Sequence, residues 1–103
     1  MKEINIGDSS IFAKILASTD VVLVDFWATW CEPCSYQAPI LQTVADVVQE
    51  GIIAKVDVNQ VTELAEQYQI ENIPTLIVFK KGKEYKRFVG VQEQGTLVQA
   101  LTE

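Results

Sequence analysis

The chain has 103 residues, 49% hydrophobic and 21% charged, a size and mix that builds one core and leaves no room for two. Its 14 acidic side chains against 8 basic ones give a net charge of −6, which repels polyanions such as nucleic acid. The lack of any histidine excludes His-based triads, His general bases, His-containing zinc sites and imidazole pH switching together. Proton transfer is left to Asp, Glu, Lys, Tyr, Cys or water.

Residues 1–8 contain neither a secretory apolar stretch nor Arg-rich transit character, which sets the expectation of a cytoplasmic protein. No apolar run approaches the roughly 20 residues needed to cross a bilayer. No repeat or Pro/Gly/Ser-rich linker divides the chain, so residues 1–103 are expected to form a single domain.

Ile4 and Ile6 suggest an edge strand. Asp8-Ser9-Ser10 offers a helix N-cap, and Ile11, Phe12, Ile15 and Leu16 follow at helical spacing, predicting a helix to about Ser18. Val21 to Trp27 is almost wholly apolar and β-branched or aromatic, as a strand buried on both faces requires. Ile40, Leu41, Val44, Val47 and Val48 return to helical spacing, with Pro39 inside that helix and Gly51 placed to end it. Ile52–Val58 reads as the next strand and Thr62–Gln69 as a short helix with Leu64, Ala65 and Tyr68 on one side. Thr75–Phe79 and Glu84–Val89 form a hairpin across Lys80-Lys81-Gly82-Lys83, and Gln92–Leu101 a last helix turning Leu97, Val98 and Leu101 inward. A βαβ half followed by a ββα half, with right-handed crossovers, predicts an α/β fold: a mixed sheet of about five strands with helices on both faces.

Cys31-Glu32-Pro33-Cys34 is the only cysteine pair, and it stands where a buried strand hands over to a helix. Two residues between the thiols at a first helical turn allow disulfide distance, Pro33 is tolerated where an N–H would be unpaired, and the free amides stabilise a thiolate. Cys31, nearer the helix tip, is expected to be the more exposed and more acidic thiol. Three readings of the pair stand at this point: a redox couple, half of a metal site, or two incidental core cysteines. Its position beside a βαβ pattern favours the first. A zinc would have only carboxylates to join the two sulfurs.

The segment from Val24 through Asp25, Trp27 and Trp30 to Cys31-Glu32-Pro33-Cys34 resembles the active-site segment of the thioredoxin family. The likeness continues in order through Pro39, Lys55, Ile73-Pro74-Thr75, Phe79 to Gly82 and Val89-Gly90, covering almost the whole chain. It implies the thioredoxin fold and a disulfide reductase in which Cys31 attacks a substrate disulfide and Cys34 resolves the mixed disulfide. It also implies no bound cofactor, electrons arriving from NADPH through a flavoprotein thioredoxin reductase, and disulfide-containing proteins as the other partners. Neither nucleic acid nor membrane is expected as a partner, and an acidic domain of this kind is most simply a monomer.

Asp25 lies in an otherwise apolar strand, where a carboxylate is costly to ionise and its pKa rises. The resemblance makes it the acid/base for Cys34 with Lys55 as its electrostatic partner; a purely structural carboxylate is the other reading. The resemblance implies a cis Pro74 against the disulfide, leaving backbone beside it to pair with an extended substrate segment. Trp27 reads as partly core. Trp30, Ile73, Pro74, Thr75, Val89 and Gly90 are the expected substrate-docking residues, with glycine at 90 allowing close backbone approach.

The family has glycine where this chain has Glu32 and a basic residue where it has Ser35. Both changes make the site less positive, so a higher Cys31 pKa than in the usual motif is expected, with only a small effect of that charge on the redox poise; Glu32, Pro33 and Pro74 are the expected tuning residues. The basic run from Lys80 to Arg87 reads as a solvated hairpin. A disulfide isomerase or oxidant, and a binding module with dispensable cysteines, are the rival functional readings.

Overall fold

The computed structural model describes residues 1–103. In chain order the elements are β1 (Lys2–Asn5), α1 (Ser9–Ser18), β2 (Val21–Trp27), α2 (Glu32–Val47), β3 (Ile52–Asp57), α3 (Thr62–Gln67), β4 (Thr75–Lys80), β5 (Lys83–Val89) and α4 (Gln94–Thr102). The strands form one sheet in the order β1-β3-β2-β4-β5. β3 is parallel to both β1 and β2, while β4 runs antiparallel to β2 and β5 antiparallel to β4. This is the expected five-stranded mixed sheet with helices on both faces.

Strand alternation divides the core. Val22, Val24 and Phe26 of β2 point to one face, where they pack with Phe12 and Ile15 of α1 and Leu64 of α3. Leu23 points to the other and meets Leu41 and Val44 of α2 and Leu97 and Leu101 of α4. The period of two therefore sends Asp25 and Trp27 to the α2 face together with Leu23. Each fully buried Leu or Phe in these layers contributes roughly 1.5–3 kcal/mol relative to exposure.

Side-chain capping explains where α1 and α2 begin, while α3 and α4 start without a side-chain cap. Asp8 caps α1, its Oδ1 accepting the Ile11 amide at 2.9 Å, a bond that satisfies one of the free donors of the first turn. α2 continues through Pro39, whose missing N–H leaves the Ser35 carbonyl without its usual helical donor.

Gly51 does not end α2 as the sequence suggests: the helix stops at Val47 with Val48 as its cap. Gly51 instead leads into β3 at φ +105, where an added Cβ would lie 2.7 Å from the Val21 carbonyl oxygen. The glycine is required by β2, a distant element, and that constraint leaves no trace in helical periodicity. Two more boundaries are shorter than predicted, since α3 closes at Gln67 and α4 opens at Gln94. Val47 is exposed, and Ala100 rather than Val98 is fully buried in α4.

The hairpin turns at Lys81-Gly82, both at positive φ, the conformation that matches strand twist in a two-residue turn. β5 is a solvated edge strand, with Lys86 paired to Glu103 and Arg87 to Glu84. Those lysines also guard the edge against pairing with other chains.

Candidate active site

Three chain segments converge at the C-terminal ends of β2 and β3. β2 ends at Trp27 and the chain turns directly into α2, whose N-cap is Cys31 and whose first turn carries Glu32, Pro33 and Cys34. Cys31 and Cys34 form a disulfide with Cα atoms 5.3 Å apart. The Cys34 amide donates to Cys31 Sγ at 3.2 Å, so a free N–H of the first helical turn is aimed at this sulfur and favours negative charge on it. Cys31 Sγ also lies 3.7 Å from the Ile73 carbonyl oxygen. The cysteines do not differ in exposure as expected: both are buried, at 7% and 6%. What separates them is the capping amide, which reaches Cys31 alone.

Asp25 and Lys55 are direct neighbours across the parallel β2–β3 pair and share the α2 face. Asp25 is buried and its Oδ1 has no hydrogen-bond partner. Burial pushes its pKa up to about 7, against the pull of the Lys55 charge and with a small further push from Glu3. No direct ion pair joins Asp25 to Lys55; both ion pairs of the molecule lie on the β5 side. A cavity of about 170 Å³ links the two to the disulfide, lined by Asp25, Trp27, Cys31, Cys34 and Lys55 among others. The Trp27 indole N–H, on the same wall, is buried without a partner.

The Ile73-Pro74 peptide bond is cis, and the Gly90 amide donates to the Pro74 carbonyl at 2.8 Å, fastening the loop after β5 to the start of β4. Pro74 and Thr75 are buried, Ile73 is half-buried, and Trp30 and Val89 are 70% and 59% exposed. The apolar rim beside the disulfide is thus made by Trp30, Ile73 and Val89, with Pro74 beneath it rather than on it. Gly90 has φ +92 and open space where a Cβ would be, so backbone conformation, not crowding, calls for glycine there.

Three contacting residues were not singled out in the sequence. Asn59 Oδ1 accepts the Trp30 indole N–H at 2.9 Å, holding an otherwise exposed ring. Tyr36 donates its hydroxyl to Glu32 Oε1 at 2.8 Å, an i,i+4 pair that helical spacing foreshadows. Gln37 is fully buried and clamps the backbone of Gln92, donating to its carbonyl at 3.0 Å and accepting its amide at 2.7 Å. Its signal was a polar residue on the stripe occupied by Leu41 and Val44.

The thioredoxin family model matches residues 3–103. The chain belongs to the thioredoxin family. A thioredoxin of Mycobacterium bovis is 42% identical over 101 residues, covering 97% of this chain and 87% of the relative. A bifunctional thioredoxin reductase/thioredoxin of Mycobacterium leprae is 42% identical over 97% of this chain, which spans only 22% of that longer protein. A solved mutant thioredoxin from Halobacterium salinarum has a TM-score of 0.90 at 30% identity, covering 97% of this chain and 88% of that one. Thioredoxins are thiol-disulfide oxidoreductases that hold no bound cofactor, and the redox-active Cys31–Cys34 pair at the helix tip makes this chain one of them. Family members work with thioredoxin reductase and with disulfide-bearing substrates. No group of three or more Cys, Asp or Glu side chains is arranged to hold a metal ion, and no helix is long and apolar enough to cross a membrane.

Proposed function

We propose that residues 1–103 act as a single thioredoxin domain and a monomeric general reductant of protein disulfides in the cytoplasm. In this role the chain serves electron transport to proteins and cell redox homeostasis, and a flavoprotein thioredoxin reductase fed by NADPH returns it to the dithiol. A compartment that supplies reducing equivalents suits a couple that must be returned continually to the dithiol. The observation that carries the reading is the cysteine pair capping α2 above the cavity lined by Asp25.

The Cys31 thiolate attacks one sulfur of a substrate disulfide, forming a mixed disulfide and expelling the other substrate sulfur as thiolate. The Cys34 thiolate then attacks Cys31 Sγ, the second substrate thiol leaves, and two electrons have passed to the substrate as Cys31–Cys34 becomes a disulfide. Asp25, poised at about 7, takes the Cys34 proton as base near neutrality. The cavity between them exceeds the volume of about 30 Å³ that a water occupies, so the proton passes through water. Lys55 keeps the carboxylate ionisable by its charge across the strand pair.

Trp30, Ile73, Val89 and Gly90 form the face on which an extended substrate segment lies, and Pro74 and Thr75 act through their backbone below it. Glu32 and Pro33 tune the couple from within the motif. Equilibration of the couple with a thiol redox buffer, read by Trp27 and Trp30 fluorescence, tests the reading. A potential near about −270 mV is expected, and one between about −180 and −120 mV would make the protein an oxidant or isomerase instead. Cys34→Ser is expected to accumulate a mixed disulfide on Cys31, whereas a Cys31→Ser/Cys34→Ser variant that still reduced substrates would remove the cysteines from the mechanism.

A further inference from the structure

The sheet topology keeps the loop cations to one end, while carboxylates stand at both, with Asp20 and Glu50 at the far end. β2 and β3 finish, β4 starts and β5 finishes at the disulfide end. The loops there, residues 28–34, 58–61, 69–74 and 90–93, contain Glu32, Glu71 and Glu93 and no Lys or Arg. All three glutamates are exposed. The lysines of the hairpin turn, Lys80, Lys81 and Lys83, lie at the opposite end of β4 and β5. Lys55 is the one cation that lines the cavity beside Asp25, where it is half-buried, and Arg87, two residues before Val89, is ion-paired with Glu84.

Glu32 is the closest of the three to the disulfide, and it is held in place. The Tyr36 hydroxyl fixes its carboxylate at 2.8 Å, and two residues earlier the Trp30 ring is held by Asn59 while remaining 70% exposed. A held carboxylate and a held, exposed indole two residues apart in the chain each attract a cationic side chain, one by charge and the other by the ring quadrupole. Because neighbouring groups already hold both, little rotamer freedom is lost when a partner binds.

We infer that Glu32, with Trp30 and the flanking Glu71 and Glu93, selects substrate disulfides whose cysteine is flanked by Lys or Arg. The inference rests on the oxidoreductase reading above and adds the substrate class. Charge steers the encounter and disfavours acidic segments by repulsion. A carboxylate and a cation about 6 Å apart in water are worth about a threefold change in rate, and the three glutamates acting together about tenfold.

The test uses three cystine peptides that differ only beside one cysteine, carrying Lys, Gln or Glu, reduced by the dithiol protein at low salt. The readout is the ratio of rate constants for the Lys and Gln peptides, in which any change in Cys31 reactivity cancels; the Glu peptide should fall below the Gln peptide by a similar factor. The wild type is expected to favour the Lys peptide about tenfold. Glu32→Gln should reduce the ratio about threefold, and adding Glu71→Gln and Glu93→Gln should bring it close to one. Raising salt to about 1 M should have the same effect on the wild type. Lys83→Gln, at the far turn, should leave the ratio unchanged. A wild-type ratio of one, or a ratio that survives Glu32→Gln and high salt, overturns the substrate preference and leaves the oxidoreductase reading standing. Failure to reduce any of the three peptides overturns both.

Discussion

Replacing Asp25 with Asn preserves the side-chain shape and removes one buried charge, so its effect on stability follows from the titration of that carboxyl. Asp25 is deprotonated near 3.8 in the unfolded chain but only at about 7 when folded. Between those values the native state holds a proton that the unfolded state has released, so stability falls as pH rises. Asp25's favourable contribution is complete below the unfolded value and lost once pH passes the folded one. The gap between the two values, at about 1.4 kcal/mol per pH unit, amounts to about 4 kcal/mol. The amide of the Asp25→Asn variant does not titrate, and its different hydrogen bonding adds only an offset that does not vary with pH. The stability of Asp25→Asn relative to wild type should therefore rise by about 4 kcal/mol between about pH 3 and about pH 8.5, with less than half of that gained by about pH 5. Urea unfolding of both oxidised proteins across this range gives the two curves directly. Parallel curves would mean that Asp25 titrates as an ordinary carboxylate, and the proton-transfer role assigned to it would lose its physical basis.

The same Asp25→Asn variant should slow release of substrate from the mixed disulfide by about 100-fold, the lower end of what a general base supplies, near pH 7 while leaving its formation largely intact; stopped-flow traces of the two steps would show it. Gln37→Leu leaves the Gln92 amide and carbonyl unpaired and should cost about 2 kcal/mol in urea unfolding, because both were bonded to a fully buried side chain. Gly51→Ala places a Cβ 2.7 Å from a backbone oxygen at φ +105 and should cost about 2–4 kcal/mol, against about 1 kcal/mol for Gly90→Ala, where φ alone resists; equal losses in thermal melts would contradict this. Glu32→Gly should lower the Cys31 pKa by about half a pH unit, since the carboxylate is exposed and turned toward Tyr36. Thiolate absorbance against pH measures it, and an unchanged value would show that Glu32 acts on partners and not on the thiol.

Much of the fold and of the reactive pair is legible in local pattern. The apolar run Val21–Trp27, the capping signal at Asp8, the turn at Lys81-Gly82 and the Cys31–Cys34 spacing each report a short-range rule: strand burial, a free helix donor, turn twist, reach between two sulfurs. A carboxylate within a buried strand likewise announces a raised pKa, because the cost of desolvating charge depends on burial, which Asp25's apolar neighbours already signal. Resemblance to the thioredoxin family carries the roles of Lys55 and Pro74, which no periodicity reveals.

Other features depend on elements distant in the chain, and only the tertiary structure decides them. The near-equal burial of Cys31 and Cys34 comes from the packing of the Ile73 loop against the helix tip. The close approach of Gly51 to Val21, the clamp of Gln37 on Gln92 and the hold of Asn59 on Trp30 join residues 29 to 55 positions apart. The acidic character of the disulfide end is of the same kind: Glu32, Glu71 and Glu93 are scattered along the sequence, and the strand order of the sheet brings them to one end. Sequence periodicity records which face of its own helix or strand a residue occupies, but contacts between elements follow from how the chain closes upon itself.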